Sequence, residues 1–148
     1  MPLRNRIEVI HGVNLDQLGR RDPAHYGGLT FDRLELTIAD VARELGLVVR
    51  FFQTNHEGEL VEHLHRLTDL ADGIVINPGA WTHYSYAIRD ALEIAALPAV
   101  EIHLSDVEHR EEFRRVSVIR DLCIATVSGK GVDGYRDALT RLKEELRA

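Results

Sequence analysis

The segment Asn77–His83 brings together side chains that can bind a small molecule or exchange protons with it. It reads Asn-Pro-Gly-Ala-Trp-Thr-His and follows the apolar run Gly73–Ile76, which predicts a buried strand. Pro78 fixes its own φ, and Gly79 can adopt a positive φ. Such a turn can direct the amide of Asn77 and the imidazole of His83 toward one point.

A second candidate pair, Arg21 and Tyr26, lies in the long polar segment His11–Gly28. A neutral tyrosine is a poor base, but an adjacent guanidinium favours the phenolate, which is a good one. Long loops in compact domains often act as lids. We therefore expect this segment to bring Arg21 and Tyr26 over a bound substrate.

Each of these groups also has a purely structural interpretation. Asn77–His83 would then be an ordinary loop in which Thr82 or Ser85 caps the next helix. His103, which ends another apolar run, would be a satisfied histidine at a strand end. Arg21 and Tyr26 would be surface residues of a flexible loop.

The elements that must position these groups are five apolar runs separated by amphipathic segments. The runs predict strands at Ile7–Ile10, Val48–Gln53, Gly73–Ile76, Ala99–Ile102 and Leu122–Val127. The amphipathic segments predict helices at Phe31–Leu45, Glu57–Leu70, Tyr84–Ala96 and Val132–Arg147. This alternation predicts a single α/β domain over 1–148, a flavodoxin-like three-layer sandwich with a five-stranded parallel sheet in the order 2-1-3-4-5. In the long connection Ser105–Arg120 we expect one short helix at most.

Ligands of open parallel sheets bind beyond the carboxyl ends of the strands. Polar groups follow every predicted strand: His11, Asn14, Arg21, Tyr26, Thr54, Asn55, His56, Glu57, Asn77, His83, His103, Ser105 and Ser128. With the arginines of the fourth connection they predict a site for a polyhydroxylated, anionic small molecule.

Composition excludes several classes of function. The net charge of −6 disfavours nucleic acid and anionic membranes as partners. No apolar segment approaches the ~20 residues of a membrane span. The single cysteine, Cys123, excludes an internal disulfide, fits a reducing compartment and is expected to be a buried structural thiol. Because Met1–Arg6 also lacks the apolar core of a secretory signal, we expect a cytoplasmic protein.

Metal and nucleotide sites have little support. There is no cysteine pair, no His-Glu-x-x-His and no acidic calcium loop, so we expect no metal site. His63 and His65 stand two apart on a predicted helix and point apart. Gly129–Gly134 matches Gly-x-Gly-x-x-Gly, which leaves a nucleotide- or flavin-binding module as a third hypothesis. The motif lies in the last unit, where the third strand and ribose-binding acid of such a site cannot follow.

The polar segments together resemble the type II 3-dehydroquinate dehydratase family, in order, from Ile7 to Leu142. The matching blocks are Gly12–Leu15, Leu18–Pro23, Tyr26–Gly27, Gln53–Leu60, Asp72–His83, Ile88–Ala91, Val100–Ser105, Arg110–Arg114 and Gly129–Tyr135.

That resemblance implies dehydration of 3-dehydroquinate to 3-dehydroshikimate without a cofactor, in the shikimate pathway or in quinate breakdown. Tyr26 would be the base that removes the C2 proton, activated by Arg21. Asn14 and a water would steady the enolate. His103, oriented by Glu101, would protonate the departing C1 hydroxyl.

The resemblance also implies a set of binding residues and an assembly. Ring hydroxyls would be bound by Asn77, His83 and Arg114, and the carboxylate by the backbone of Leu104 and Ser105. Arg110 would close with the lid, and Asp90 would reach the site of a neighbouring subunit. The family forms dodecamers built from four trimers.

Among the departures from the usual family sequence, two bear most on the expected site. The usual Asn-Gly-Pro-Asn-Leu-Asn is His11-Gly-Val-Asn-Leu-Asp16 here, and the usual Leu-Ser-Asn is Leu104-Ser-Asp106. A carboxylate at position 106 would repel a carboxylate substrate unless an arginine neutralised it. The changes at His11, Val13, Asp16 and Asp106 therefore support a second hypothesis, a dehydroquinase-like binding protein with weak or no turnover.

Overall fold

A five-stranded parallel sheet forms the centre of the computed structural model, which describes residues 3–147. Met1, Pro2 and Ala148, the ends of the predicted domain, lie outside the described residues. The strands are β1 (Arg6–His11), β2 (Val48–Gln53), β3 (Gly73–Asn77), β4 (Ala99–His103) and β5 (Ala125–Ser128). Their order is β2-β1-β3-β4-β5, which confirms the predicted topology.

Helices cover both faces of this sheet. They are α1 (Pro23–Tyr26), α2 (Phe31–Leu45), α3 (Glu57–Arg66), α4 (Tyr86–Ala95) and α5 (Gly134–Arg147). The helix α2 shows how the sequence sets their limits. The Thr30 side chain accepts a hydrogen bond from the backbone N–H of Arg33 and caps its start. Gly46 ends it with a φ of 73°, a left-handed value that glycine adopts without strain.

Apolar side chains from the two helical layers pack on opposite faces of the sheet. On one face Leu34 and Ile38 of α2 and Leu139 of α5 pack in one core cluster with the sheet. On the other face, Leu64 of α3 and Ile88 of α4 belong to a second buried cluster. Because both faces are covered, the sheet is rigid, and its carboxyl edge offers fixed attachment points for a site. In residues 3–147 no helix combines the length and the apolar character needed to cross a membrane.

Four strands extend one residue further at their carboxyl ends than the apolar pattern predicts, and β5 begins at Ala125 rather than at the predicted Leu122. His11, Asn77 and His103 are the last residues of β1, β3 and β4 rather than the first residues of loops. Because these last residues are polar, a pattern based on hydrophobicity does not include them in the strands. The extension matters because the sheet itself now holds the backbone of Asn77 and His103.

Helix limits differ from the prediction by a few residues at their ends. The helix α3 stops at Arg66, and the chain continues as a 3₁₀ turn over Leu67–Asp69. The helix α4 starts at Tyr86, where the Ser85 side chain accepts from the backbone N–H of Ile88. Of the two predicted caps, Ser85 is therefore the correct one.

The expectation of at most one short helix in Ser105–Arg120 is wrong. This connection contains two 3₁₀ helices, Val107–His109 and Glu112–Arg115, and a third begins at its end, Arg120–Leu122. Single 3₁₀ turns leave no 3.6-residue periodicity in a sequence, which is why the pattern missed them.

Candidate active site

A pocket opens at the carboxyl edge of the sheet, above β1, β3 and β4. Including its open mouth it measures about 590 Å³, a size that suits a small molecule. Its lining residues are Val13, Asn14, Leu15, Arg21, Tyr26, Asn77, Gly79, Ala80, His83, His103, Leu104, Ser105, Val107, Arg110 and Arg114. Of the twelve site residues expected from the sequence, all line this pocket except Glu101 and Asp90.

Two guanidinium groups converge on the phenol oxygen of Tyr26. Arg21 Nη2 and Arg110 Nη1 each donate to it over 2.9 Å. The Arg21 guanidinium also lies 4.7 Å from the centre of the Tyr26 ring. Two positively charged donors therefore meet at one phenol oxygen. The sequence predicted only Arg21 in this role, and Arg110, 84 residues further along the chain, shares it.

A short capped helix presents Tyr26 to the pocket. The Asp22 side chain accepts from the backbone N–H of Ala24, and Pro23 occupies the first turn of α1. Gly27 ends the helix directly after Tyr26 with a φ of 64°. Cap, proline and glycine therefore fix the position of the tyrosine on a lid that is otherwise built from turns.

Beneath the pocket, His103 is backed by a fully buried carboxylate. The Nε2 atom of His103 lies 2.5 Å from Oε2 of Glu101, which is 0% exposed. The hydroxyls of Thr82 and Ser117 each donate to Glu101 over 2.7 Å. Burial raises the pKa of Glu101, but the hydrogen bonds from His103, Thr82 and Ser117 outweigh it and hold that pKa below its usual range.

His83 stands on the other wall, held by one strong backbone contact. Its Nδ1 atom lies 2.6 Å from the carbonyl oxygen of Val116. A carbonyl can only accept, so Nδ1 carries the proton, and in the neutral ring Nε2 is left as an acceptor. Burial lowers the pKa of His83, which the hydrogen bond to Val116 only partly opposes. A neutral His83 is suited to accept a hydrogen bond from a ring hydroxyl.

Asn14 adopts a left-handed backbone conformation, with a φ of 69°. Its backbone N–H donates to Oδ1 of Asn55 over 2.7 Å, which fixes this unusual geometry. The Asn55 side chain in turn donates to the carboxylate of Asp16, one of the altered positions. Asp16 therefore holds this loop together and does not line the pocket. Non-glycine residues at positive φ are uncommon, and Asn is among those that tolerate it.

His11, another altered position, lies outside the pocket. It is 0% exposed and packs between Phe31 and Phe51. Its Nε2 atom is 3.2 Å from Oε2 of Glu35, but the two are not aligned for a hydrogen bond. Of the altered first-loop positions, only Val13 lines the pocket.

Asp106, the altered position in the fourth connection, does not line the pocket. Its carboxylate accepts from the backbone N–H of Glu108 and lies 2.5 Å from Nδ1 of His109. It borders a neighbouring depression with Gly129 and does not line the pocket. The Asp106 carboxylate is therefore not placed to repel the carboxylate of a substrate in the pocket.

The structure also locates three other features of the sequence, which are Asp90, Cys123 and the glycine-rich segment Gly129–Gly134. Asp90 is exposed on α4 and does not line the pocket of its own chain. Cys123 is partly buried, and burial raises the pKa of its thiol to about 12, which agrees with a structural role. In the glycine-rich segment, the N–H groups of Gly129 and Gly131 donate to carbonyls of the chain, so these amides are not available to a phosphate.

Sequence reasoning missed Thr82 and Ser117 as parts of the site. Thr82 lies inside the Asn77–His83 segment, so the motif of that segment could have indicated a role for Thr82. Ser117 carried no signal, because its contact with Glu101 spans 16 residues and depends on the 3₁₀ turns of the fourth connection.

Comparison with known proteins identifies relatives along almost the whole chain. The family model described as dehydroquinase class II matches residues 5–143. The 3-dehydroquinate dehydratase of Thermotoga maritima is 50% identical over 141 residues, covering 95% of this chain and 96% of the relative. The crystal structure of type II dehydroquinase from Butyrivibrio crossotus superposes with a TM-score of 0.90 at 40% identity, covering 94% of this chain and 97% of that one. The type II dehydroquinase from Propionibacterium acnes gives the same TM-score and identity, with 97% and 99% covered. The chain therefore belongs to the dehydroquinase class II family.

Proposed function

We propose that this enzyme dehydrates 3-dehydroquinate to 3-dehydroshikimate, with Tyr26 as the base and His103 as the general acid. The observation that carries this proposal is the pairing of two opposite chemical environments in one pocket. The phenol oxygen of Tyr26 receives hydrogen bonds from two arginines, while His103 is backed by the buried carboxylate of Glu101. The first environment suits a base, and the second suits an acid.

The reaction divides into two proton transfers. In the first, the Tyr26 phenolate takes a proton from C2, and the electrons of that bond pass to the C3 carbonyl oxygen to form an enolate. Asn14 and a water molecule steady the negative charge. In the second, the enolate collapses, a C1–C2 double bond forms, and the C1–O bond breaks. His103 donates its proton to the departing hydroxyl, which leaves as water.

The other lining residues suit the rest of the substrate. Asn77, His83 and Arg114 would bind ring hydroxyls, and the neutral His83 offers an acceptor nitrogen. The backbone of Leu104 and Ser105 would hold the carboxylate.

The first test is product formation in the purified enzyme. Incubation with 3-dehydroquinate should produce the conjugated enone absorbance of 3-dehydroshikimate, with the product identified by NMR. A His103→Asn variant should be slower by about 10²- to 10⁴-fold, the usual contribution of a general acid. Wild-type protein with no more conversion than this variant would overturn the proposal.

The second hypothesis, a binding protein with weak turnover, has less support once the side chains are placed. Asp106 and Asp16 do not line the pocket, and His11 lies below it. This hypothesis predicts calorimetric binding of 3-dehydroquinate without conversion, and recovery of turnover in Asp106→Asn. Brisk turnover by the wild-type enzyme would exclude it.

We further propose that the enzyme is a homo-oligomer, a dodecamer of four trimers, in which Asp90 of one subunit completes the site of another. Large apolar side chains are exposed on α4 or directly before it, including Tyr84, Tyr86 and Ile94, which are 61%, 68% and 61% exposed. Such side chains are typical of surfaces that bury against another subunit. The free thiol of Cys123 agrees with a location in the reducing cytoplasm.

Subunit complementation tests the role of Asp90. Asp90→Ala and His103→Asn variants should each be nearly inactive, and mixed, reassembled subunits should regain activity because some sites then carry both native residues. Light scattering should give the mass of twelve chains. Activity of Asp90→Ala equal to wild type, or a monomer mass, would contradict this proposal.

A further inference from the structure

The carboxylate of Glu101 contacts the side chains of His103, Thr82 and Ser117. In the part of the chain that the structure describes, its only ion-pair partner is His103. The remaining contacts are neutral hydroxyls. Thr82 Oγ1 donates to Oε2, the oxygen that also faces His103, and Ser117 Oγ donates to Oε1. Both carboxylate oxygens are therefore occupied by donors.

This arrangement decides where the proton of the Glu101–His103 pair resides. A fully buried carboxyl group favours its neutral, protonated form. If Glu101 took the proton between them, His103 would be a neutral imidazole, whose remaining N–H is a far weaker acid than an imidazolium. Each hydroxyl that donates to Glu101 stabilises the carboxylate and so keeps the proton on the imidazole.

We propose that Thr82 and Ser117 are positioning residues that keep His103 in its proton-donating form by hydrogen bonding to the two oxygens of Glu101. The inference rests on the proposed role of His103 as the general acid. It extends that role to two hydroxyls that do not line the pocket and that donate to Glu101.

The surrounding contacts show that these hydroxyls are held in place. The carbonyl of Thr82 accepts from the backbone N–H of Val118 over 2.8 Å. The Ser117 hydroxyl also accepts from the backbone N–H of Ile119 and lies 3.2 Å from that of Thr82. The segments that follow β3 and precede β5 are therefore joined at the point where both reach Glu101.

Few other titratable groups lie near this pair. His83, whose pKa burial lowers, stacks at 6.5 Å from the His103 ring. The positive charge of Arg114 also lowers the pKa of His83. Cys123, close to Glu101, keeps its proton because burial raises the pKa of its thiol to about 12. Changes in the charge of His103 can therefore be assigned to the hydroxyls rather than to a neighbouring switch.

The test measures the charge of His103 in the free enzyme, without any substrate. Histidine side chains labelled with ¹⁵N report the imidazolium fraction by NMR, and the signal of His103 is assigned by its loss in His103→Asn. We expect a smaller imidazolium fraction in Thr82→Val, in Ser117→Ala and most of all in the double variant. Thr82→Ser, which keeps the hydroxyl, should restore it. Thr68→Val removes a hydroxyl that bonds to the Ala95 carbonyl far from the pocket and serves as the control.

Kinetics separate this role from a merely structural one. In the double variant kcat should fall by at least about tenfold while KM changes little, because the general acid is weakened and the binding residues are intact. An unchanged imidazolium fraction in folded Thr82→Val and Ser117→Ala proteins would overturn the proposal, whatever their activity. If the fraction falls as expected but the wild-type enzyme does not dehydrate 3-dehydroquinate, the proposed function fails and the proton-holding role stands.

Discussion

At the scale of single residues, the proposed base and the proposed acid have different neighbours. Tyr26 has two guanidinium groups at its oxygen. His103 has a buried carboxylate behind it. The chemistry therefore depends less on the two reacting groups than on the residues that surround them.

Removal of Arg110 should slow the reaction more than removal of an arginine outside the pocket. Its guanidinium donates to Tyr26 and to the Ser105 hydroxyl, and its side chain is only 8% exposed. A charged hydrogen bond is worth about 1.5–3 kcal/mol, so Arg110→Met should lower kcat by about 10- to 100-fold. Steady-state kinetics at saturating substrate give the value.

The matched control is Arg20→Met in the same lid. Arg20 is exposed, and its guanidinium donates to the side chain of Gln17, outside the pocket lining. We expect kcat within about twofold of wild type, since exposed contacts of this kind contribute little. Equal losses in the two variants would show that lid stability, and not contact with the phenol, accounts for the effect.

Much of the site could be predicted at this scale, since residue types and their order along the chain already resembled one family. The side-chain partners could not. Arg110 and Tyr26 are 84 residues apart, and Ser117 reaches Glu101 only through a connection of short 3₁₀ turns. Asp106 shows the converse, because its sequence position suggested a carboxylate in the site and its side chain turns to His109 instead.

At the scale of elements, the site depends on how closely the loop after β1 approaches the loop after β3. The backbone N–H of Gly12 donates to the carbonyl of Asn77 over 2.7 Å. A Cβ on Gly12 would lie 2.2 Å from the carbonyl oxygen of Pro78, and one on Gly79 would lie 2.6 Å from that of Val13. These two glycines bring Asn14 and Asn77 to one pocket.

Gly12→Ala should therefore separate the two loops. Overpacking of this kind typically costs about 1–3 kcal/mol, and here the obstacle is backbone that cannot rotate away. We expect a lower midpoint of unfolding in urea and a raised KM, because the binding groups of the two loops move apart.

Gly58→Ala in α3 is the control for this substitution. A Cβ at Gly58 meets nothing within 4 Å, and alanine is the better helix former by about 0.5–1 kcal/mol. Unfolding should shift to higher urea with KM unchanged. Two variants with the same midpoint would contradict the close approach of the loops.

Regular elements were predictable because their hydrophobic periods are strong, as in α2, where Leu34 and Ile38 face the core. The residues at which these elements begin and end were less predictable. Strands end on polar residues such as Asn77, which an apolar pattern excludes, although the ladder continues through them. These end positions carry the functional groups, so the pattern is least informative where function begins.

At the scale of the whole molecule, stability should fall as the pH is lowered. Burial lowers the pKa of His83, so the folded state binds its proton less readily than the unfolded chain does. Stability from this group is complete above the unfolded value of about 6.5 and is lost as pH falls below it. The lowered pKa values of Glu101 and Asp72 add a second loss, which begins near pH 4.

Urea unfolding between pH 7.5 and 5.5 isolates the contribution of His83. The midpoint of the wild-type protein should decrease more over this range than that of His83→Asn, which has no proton to gain. A steeper decrease in the variant would show that burial does not lower the pKa of His83.

Tyr26 is the residue on which the proposed reaction depends most, because it removes the proton that begins it. A Tyr26→Phe variant tests this role most directly, through single-turnover formation of 3-dehydroshikimate with enzyme in excess, alongside calorimetric binding of 3-dehydroquinate. We expect a rate about 10²- to 10⁴-fold below that of wild type, with binding close to unchanged. A variant that binds the substrate and converts it at the wild-type rate would contradict the role of Tyr26 as the base.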